Sequence, residues 1–199
     1  MPEFLDHYPN IDVMLGVSDR AINLLEEAAD CVLRVGPLAD SGMIARSLGE
    51  LPLINVASPS YLARHGIPRE PADLDRHHMV LYASPSTYRV ETFEWIEHQQ
   101  ACFRTVTGRV TVNSAEAYIA CCLAGLGLIQ IPAYDVRDQI ATGALVEVLP
   151  HHRAAPMPMT LLFPHRRHLP RRTQVFADWL ASIIAEATAP WPDAQGAAS

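Results

Sequence analysis

The sequence predicts an α/β protein built around parallel strands. Apolar runs with strand character alternate along the 199 residues with stretches whose apolar residues recur at helical spacing. The first series places a strand at 11–17, a helix at 18–29 capped by Ser18 or Asp19, and a second strand at 31–35. Two strands joined by a helix over so short a stretch form a βαβ unit, which requires a parallel sheet. About half of the residues are apolar, which is enough for a substantial core.

Turn and cap residues divide the rest of the chain into further strands and helices. The sharpest signals surround 58–66, where Ser58 is a helix cap, Pro59 is the first helical position and Gly66 follows the helix. The other predicted elements are two strands around a turn at Gly49 within 45–58, one helical turn within 67–78, a strand at 79–83, two strands around a turn at Gln99–Gln100 within 92–113, a helix and a strand within 113–132, a helix ended by Gly143 and a strand within 134–150, a strand at 159–164 and an amphipathic helix at 171–187.

The helix within 113–132 contains two adjacent cysteines. Asn113 can cap this helix, with Glu116 at its third position completing a capping box, and Gly125 suits a left-handed end. Cys121 and Cys122 would point about 100° apart, so they cannot jointly bind one metal on an intact helix. We interpret the helix as a core element. One buried face is expected to carry Tyr118, Ile119, Cys122, Leu123 and Leu126.

Charge and cysteine usage narrow the class of protein. The formal net charge is −7 at pH 7, and the one Arg-rich stretch, 164–172, is interpreted as a solvated connection rather than a phosphate site. The four cysteines show no C-x-x-C spacing, and Cys31 and Cys122 sit in apolar runs, which suits a reducing compartment. No secretory signal and no apolar run of membrane-spanning length are visible. We therefore expect a cytoplasmic chain with no membrane partner.

The sequence carries no recognisable catalytic, cofactor or metal motif. There is no G-x-S-x-G elbow, no H-E-x-x-H pair, no G-x-G-x-x-G turn and no Walker loop. The pairs His77–His78 and His151–His152 are adjacent in sequence, so their side chains diverge and a shared metal is not expected. We therefore predict no enzyme activity, no catalytic residue, no cofactor and no metal ligand.

Three predicted helices begin directly after strands, at 18–20, 58–60 and 113–115. The first backbone N–H groups of a helix are unpaired and carry partial positive charge, so they attract an anion or a polar group. In parallel sheets, ligands bind in the crevice beyond the carboxyl ends of the strands, where such helix starts meet. The alternative is that these cap residues only satisfy the helix ends.

Several segments together resemble a known family. They are "VSDRAINLLEEAADCVLRVGPLADSGMIARSLGELPLINVASPSYLARHG", the spacing of Pro68, Pro71, Asp73-Leu74 and His77, "GRVTVNSAEAYIACCLAGLGLIQIP", "ALVEVLP" and "PHRRHLPRRTQVFADWL". In this order they closely resemble the effector-binding domain of LysR-type transcriptional regulators, over residues 2 to about 185. The resemblance implies a fold like that of type 2 periplasmic binding proteins, with two α/β lobes joined by crossover strands and a ligand cleft between them.

The resemblance also implies a division of the chain. Lobe I is expected to hold residues 1–80, with 157–187 returning to it, and lobe II to hold 81–156. Residues 188–199 contain few packing residues, so we expect a disordered tail.

Carrying the family's positions onto this sequence gives candidate effector contacts. All of them stand at strand ends, at helix starts or in the loop past the first crossover. They are Ser18, Gly36, Pro37, Ser84, Ser86, Asn113, Ser114 and Pro132.

By the same resemblance, the chain is expected to be the effector-sensing and oligomerisation module of a transcription regulator. A small-molecule effector and a homodimer or homotetramer are implied. DNA would be bound only through an N-terminal winged helix-turn-helix, which this sequence lacks. The domain's first strand is also missing, so we expect a poorly supported first lobe with Val13, Leu15, Val32 and Leu33 lacking a neighbour.

Two other classes of function stay open at this point. A freestanding solute-binding protein for a small polar or anionic metabolite would need an export signal, which is not visible here. An enzyme using the cleft is least favoured, because no acid/base pair or nucleophile is evident. The sequence permits a small carboxylate and an uncharged polar metabolite alike as the effector.

Overall fold

A computed structural model describes residues 1–17, 29–38, 43–83, 92–164, 169–189 and 191–192. The helices are α1 (Pro2–His7), α2 (Pro59–His65), α3 (Ala115–Leu123), α4 (Arg137–Ala141) and α5 (Arg171–Ala187), with 3₁₀ turns at Pro71–Arg76 and Ala133–Val136. The strands are β1 (Val32–Val35), β2 (Ile44–Leu51), β3 (Leu53–Ala57), β4 (Val80–Tyr82), β5 (Phe93–Glu97), β6 (Gln100–Arg104), β7 (Val110–Val112), β8 (Ile129–Pro132), β9 (Val146–Glu147) and β10 (Met157–Phe163). Two compact units result: unit 1 comprises Met1–Leu51 and Met157–Ala189, and unit 2 comprises Pro52–Pro156 and Pro190–Ser199.

Unit 1 is a three-stranded antiparallel sheet covered by α5. The strand order is β1-β10-β2, with β10 in the centre. Leu161 and Phe163 on β10 are buried together with Ala177 on α5. The helix predicted at 171–187 is therefore confirmed. Its predicted apolar stripe is only partly right, because Ala177, Leu180 and Ile184 pack against the sheet whereas Ile183 is exposed.

The first predicted strand, 11–17, was wrong. Those residues form no strand, and Met14, Leu15 and Val17 are 96%, 72% and 84% exposed. β1 pairs antiparallel with β10, so the expected parallel βαβ pairing is not formed either. An apolar run becomes a strand only where a neighbouring strand can satisfy its backbone and cover one face. The predicted helix that follows lies outside the described residues, apart from its last residue.

The break between β2 and β3 falls at Pro52 rather than at the predicted turn at Gly49. Gly49 lies inside β2 with φ +123°, facing the point where the register with β10 shifts between Met159 and Thr160. The glycine therefore serves a bulge in a continuous strand. Proline has no N–H to donate to a ladder, and β2 accordingly ends at Leu51, directly before Pro52. The chain passes from unit 1 to unit 2 at this proline.

Unit 2 is built on parallel β4 and β7 and on β3, which pairs antiparallel with β8 and β9. A parallel bridge between Met79 and Leu128 joins the two groups of strands. β5 and β6 form a separate hairpin whose turn lies at His98–Gln99, one residue before the predicted one. The largest buried cluster, here the unit 2 core, comprises Ile54, Val56, Val80, Tyr118, Cys122, Ile129, Ile131, Ala133, Val136 and Leu145.

Gly127 lets strands approach closely beside β4. A Cβ atom at this position would lie 2.7 Å from the carbonyl oxygen of His78. The bridge at Met79 and Leu128 therefore depends on a residue without a side chain.

The boundaries of the two units differ from those of the two predicted lobes. β3 and α2 fall within the range predicted for lobe I, but they lie in unit 2. The assignment of 1–80 with 157–187 and of 81–156 stays a prediction. Within the predicted tail, 193–199 lie outside the described residues, whereas Trp191 packs against the unit 2 core. None of the described helices is long and apolar enough to cross a membrane.

Candidate functional site

The carboxyl ends of three strands lie at one edge of unit 2. β4 and β7 are parallel in register, with Tyr82 opposite Val112. The Met79–Leu128 bridge is also parallel and leads directly into β8, so Pro132 ends a third strand of the same direction. The backbone N–H of Ala83 donates to the carbonyl oxygen of Val112 at 2.8 Å. This arrangement is the strand edge at which α/β proteins bind ligands.

Asn113 and Ser114 follow β7 at this edge, and Ser114 rather than Asn113 caps α3. Ser114 is extended, with φ −138° and ψ 148°, and its Oγ accepts a hydrogen bond from the N–H of Ala117 at 3.3 Å. The predicted cap was therefore one residue early. With Ser114 as the cap, Glu116 is the second helical residue and the predicted capping box does not form. Asn113 is exposed and carries no capping role, so its side chain can meet a ligand without loss of the helix start.

α3 packs its cysteines as apolar residues. Cys122 is fully buried, its Sγ donates to the carbonyl oxygen of Val56 at 3.6 Å, and burial raises the pKa of its thiol to about 12. Cys121 is half-buried against the same unit 2 core. The predicted buried face was only partly right, because Leu123 and Leu126 are exposed.

The end of α3 confirms the role expected for Gly125. Its φ is +75°, and its N–H donates to the carbonyl oxygen of Cys122 at 2.9 Å. The N–H of Leu126 donates to the carbonyl oxygen of Cys121 at 3.1 Å, which completes a Schellman motif. The glycine thus turns the chain from α3 back into β8.

Pro132 lies opposite Leu53, and the 3₁₀ turn that follows brings a carboxylate to the same edge. Burial, and then the neighbouring Glu116 carboxylate, raise the pKa of Asp135. These two acidic groups oppose the positive end of α3, so the edge is not a simple anion site. Asp135 was not among the residues predicted from the sequence, although it stands three residues after a strand end.

A small pocket of about 20 Å³ lies beside this edge. Its polar lining includes Tyr82, Tyr118 and Gln130. The ring centroids of the two tyrosines lie 5.3 Å apart in an edge-to-face arrangement. Tyr118 Oη accepts from the backbone N–H of Gln130 at 3.2 Å. The described lining carries no charged side chain, and the volume has room for about one water molecule, so the pocket itself can take only a small uncharged group.

The structure brings together three of the eight predicted contact residues: Asn113, Ser114 and Pro132. Gly36 and Pro37 lie in unit 1, where Gly36 is buried with φ +99° and its N–H donates to the carbonyl oxygen of Pro158 at 2.8 Å, whereas Pro37 is exposed. Ser18, Ser84 and Ser86 lie outside the described residues. Among the residues that the structure describes, no group of three or more His, Cys, Asp or Glu side chains could hold a metal.

Comparison with known proteins identifies relatives over nearly the whole chain. The family model described as LysR substrate binding domain matches residues 1–184. An uncharacterized HTH-type transcriptional regulator of Escherichia coli K12, YhjC, is 42% identical over 186 residues, covering 94% of this chain and 62% of the relative. The HTH-type transcriptional activator AaeR of the same strain is 32% identical over 185 residues, covering 92% and 59%. The chain thus spans about three fifths of the length of these relatives.

Solved structures agree with the sequence relatives. The regulatory domain of CrgA from Neisseria meningitidis superposes with a TM-score of 0.80 at 29% identity, covering 92% of this chain and 88% of that one. The regulatory domain of AphB from Vibrio vulnificus gives a TM-score of 0.73 at 29% identity, covering 92% and 89%. Both structures are of the regulatory domain of a regulator.

Proposed function

This chain belongs to the LysR substrate binding domain family, and from that membership we propose that it senses a small-molecule effector for a LysR-type transcription regulator. The family resemblance predicted from the sequence is confirmed. So is the predicted α/β fold class, because the structural relatives are regulatory domains with the two-lobed, periplasmic-binding-protein-like fold.

The observation that supports effector binding most directly is the shared strand edge in unit 2. Ala83 and Val112 are hydrogen-bonded there, α3 begins at Ser114, and β8 ends at Pro132. Exposed Asn113 supplies amide donors and acceptors, and the first turn of α3 supplies backbone donors. The proposed effector contacts are those from the sequence: Ser18, Gly36, Pro37, Ser84, Ser86, Asn113, Ser114 and Pro132.

The charges at this edge bear on the effector's chemistry. Glu116 and Asp135 place negative charge beside the positive end of α3, and the adjoining pocket has no charged lining side chain among the described residues. A polar effector with a neutral or aromatic body meets fewer opposing charges here than a small carboxylate does. Of the two classes left open by the sequence, we therefore propose the uncharged one.

The remaining roles follow from the family and are likewise proposals. The full-length regulator would control transcription as a homodimer or homotetramer in the cytoplasm. It would bind DNA through the helix-turn-helix region that the relatives' names record, and this domain would contribute neither catalysis nor a cofactor. A freestanding solute-binding protein is not favoured, because the named relatives are transcription regulators.

Isothermal titration of the chain against a panel of small aromatic, uncharged polar and carboxylate compounds tests the proposal. A compound that binds the unaltered protein should bind the Asn113→Ala variant more weakly, because its amide contact is lost. Asn10→Ala is the matched control, since Asn10 is also an exposed asparagine but lies in unit 1. Equal affinity of the two variants, or failure of the whole panel to bind, would count against the proposal.

A further inference from the structure

β1 has an open edge in unit 1. Among the residues that the structure describes, β1 pairs only with β10, so its other side carries no neighbouring strand. The N–H of Gly36 donates to the carbonyl oxygen of Pro158 at 2.8 Å, which fixes the phase of the ladder. Hydrogen-bonded and non-hydrogen-bonded residues alternate along an antiparallel pair. The backbone groups of Leu33 and Val35 therefore point away from β10 and can pair with a further strand.

The side chains of these two residues continue the apolar face that α5 covers. Leu33 and Val35 are each 40% exposed. They stand opposite Leu161 and Met159 on β10, both of which are buried. Leu161 is packed with Ala177 of α5. Because directly opposite residues project from the same face of a sheet, a further strand at this edge would extend the core of unit 1.

Residues 11–17 have the pattern of such a strand but form none. Met14, Leu15 and Val17 are exposed, although all three are apolar. In an extended conformation, alternate residues project to opposite sides. One side would carry Ile11, Val13, Leu15 and Val17, and the other would carry Asp12, Met14 and Gly16. The segment can therefore add an apolar face to a sheet and a single carboxylate to the opposite face.

Charge favours this segment over a second β1 as the partner of β1. Arg34 alternates with Leu33, so it projects from the face opposite α5, and it forms no ion pair with a described residue. Centred antiparallel pairing of two β1 strands would place Arg34 opposite the same residue of the second copy, and like charges directly opposite are destabilising. Asp12 offers the opposite charge, on the side of the segment away from its apolar face.

The antiparallel register that places these two charges opposite each other also pairs the open backbone groups. Val13 then stands opposite Leu33, and the two residues can exchange both N–H···O bonds. Ile11 stands opposite Val35 and accepts from its N–H, while the N–H of Ile11 stays bonded to the carbonyl oxygen of Tyr8 at 3.0 Å. We propose that residues 11–17 of one copy dock as an antiparallel strand on β1 of a second copy, which joins two chains in a dimer.

A second copy can cover both open surfaces of each chain. Within one chain, residues 11–17 form no strand and the edge of β1 carries no described neighbour. Reciprocal docking gives the isologous interface of a two-fold dimer, and open strand edges are prone to pairing of this kind. The docking gives a surface to the oligomer proposed above and needs no effector. Its failure would therefore leave the effector titration unaffected.

Charge reversal tests the docking by sedimentation velocity. Asp12→Arg and Arg34→Asp each bring like charges together and should weaken the dimer by about tenfold. An equimolar mixture of the two variants should restore the dimer, because a mixed dimer again pairs opposite charges at both docked strands. Asp138→Arg, at an exposed aspartate of unit 2, is the matched control and should dimerise as the unaltered chain does.

Amide hydrogen exchange of single residues gives a second readout. Leu33 and Val35 should be protected in the dimer and should lose that protection on dilution. Arg34, whose N–H faces β10, should stay protected throughout and reports that unit 1 remains folded.

A chain that is monomeric at every concentration, or single variants that dimerise as the unaltered chain does, would overturn the proposal. A monomeric chain carrying both Asp12→Arg and Arg34→Asp with protected Leu33 and Val35 would overturn it too, because residues 11–17 would then pair within their own chain.

Discussion

The side-chain amide of Gln130 donates to the side-chain carbonyl of Asn55 at 2.9 Å, and this pair links the candidate site to the turn that follows Leu149. Gln130 lines the pocket beside the strand edge and also donates to the carbonyl oxygen of Glu94 at 2.7 Å. Asn55 is buried and donates to the carbonyl oxygen of His152 at 2.9 Å. It thereby holds the turn after Leu149, a buried residue with φ +50°.

Replacing the buried amide should cost more stability than replacing an exposed one. Asn55→Ala removes one acceptor of the Gln130 amide, which keeps its bond to Glu94, and leaves the carbonyl oxygen of His152 without its donor. A buried polar group left unpaired costs about 1–3 kcal/mol. Urea unfolding followed by circular dichroism should show this loss. Asn113→Ala, at the exposed asparagine, should change the free energy of unfolding by less than about 0.5 kcal/mol. Equal losses in the two variants would refute the role given to Asn55.

The free energy of unfolding should fall in mild acid, because the contact between Tyr61 and His77 requires a neutral imidazole. Tyr61 Oη accepts from the N–H of His78 at 2.8 Å and lies 3.2 Å from Nδ1 of His77, an arrangement that suits a neutral imidazole accepting the phenolic proton. Burial lowers the pKa of His77 below its ordinary 6.5. As the pH falls, His77 is protonated in the unfolded chain before it is protonated in the folded one. The stabilisation is therefore complete above pH 6.5 and is lost as the pH drops below 6.5.

Urea unfolding at pH 7.5 and pH 5.5 measures this dependence. His77→Gln retains an acceptor for Tyr61 but cannot titrate, so the difference in unfolding free energy between the two pH values should shrink. His151→Gln, at an exposed histidine, should leave that difference as it is in the unaltered protein. A His77→Gln protein with an unaltered pH dependence would show that another group is responsible.

Cys122 should be the least reactive of the four thiols. The thiolate is the nucleophile, and burial raises the pKa of Cys122 to about 12, whereas Cys102 is half-buried on the β5–β6 hairpin. Alkylation of the folded protein at neutral pH, followed by peptide mass spectrometry, should label Cys102 long before Cys122. Labelling in urea should remove the difference. Rapid labelling of Cys122 in the folded protein would contradict its packing role.

Gly127→Ala should destabilise unit 2, because the new Cβ would lie 2.7–2.8 Å from backbone atoms of His78, Met79 and Val80. Backbone cannot yield as a flexible side chain can, and overpacking of this kind costs about 1–3 kcal/mol. Gly16→Ala is the matched control, since no atom lies within 4 Å of the added methyl. Thermal unfolding should separate the two variants, and a lower melting temperature for Gly16→Ala than for Gly127→Ala would reverse the prediction.

Local sequence signals predicted those parts of unit 2 whose structure is decided locally. Ser58, Pro59 and Gly66 bound α2 as expected, with Ser58 Oγ accepting from the N–H of Tyr61. Gly125 ends α3 for an equally local reason, because glycine adopts the left-handed backbone conformation at little cost. The error of one residue at the start of α3 arose because both Asn113 and Ser114 are good caps.

Features that depend on distant parts of the chain were not predictable. The apolar alternation of 11–17 resembles a strand, but strand formation needs a neighbour that the spacing cannot supply. Asn55 and Gln130 stand 75 residues apart, and no local pattern pairs two amides over that distance. The docking of Trp191 is likewise a tertiary contact, formed by a residue in a Pro-rich stretch whose composition suggests disorder.

Amide chemical-shift mapping tests the central claim most directly. A small uncharged or aromatic compound that binds should shift the backbone resonances of Ala83, Asn113–Ala117 and Ala133, which surround the strand edge of unit 2. The resonances of α5, which packs in unit 1, should stay in place. Binding that shifts α5 and leaves residues 113–117 unmoved would contradict effector sensing at this edge.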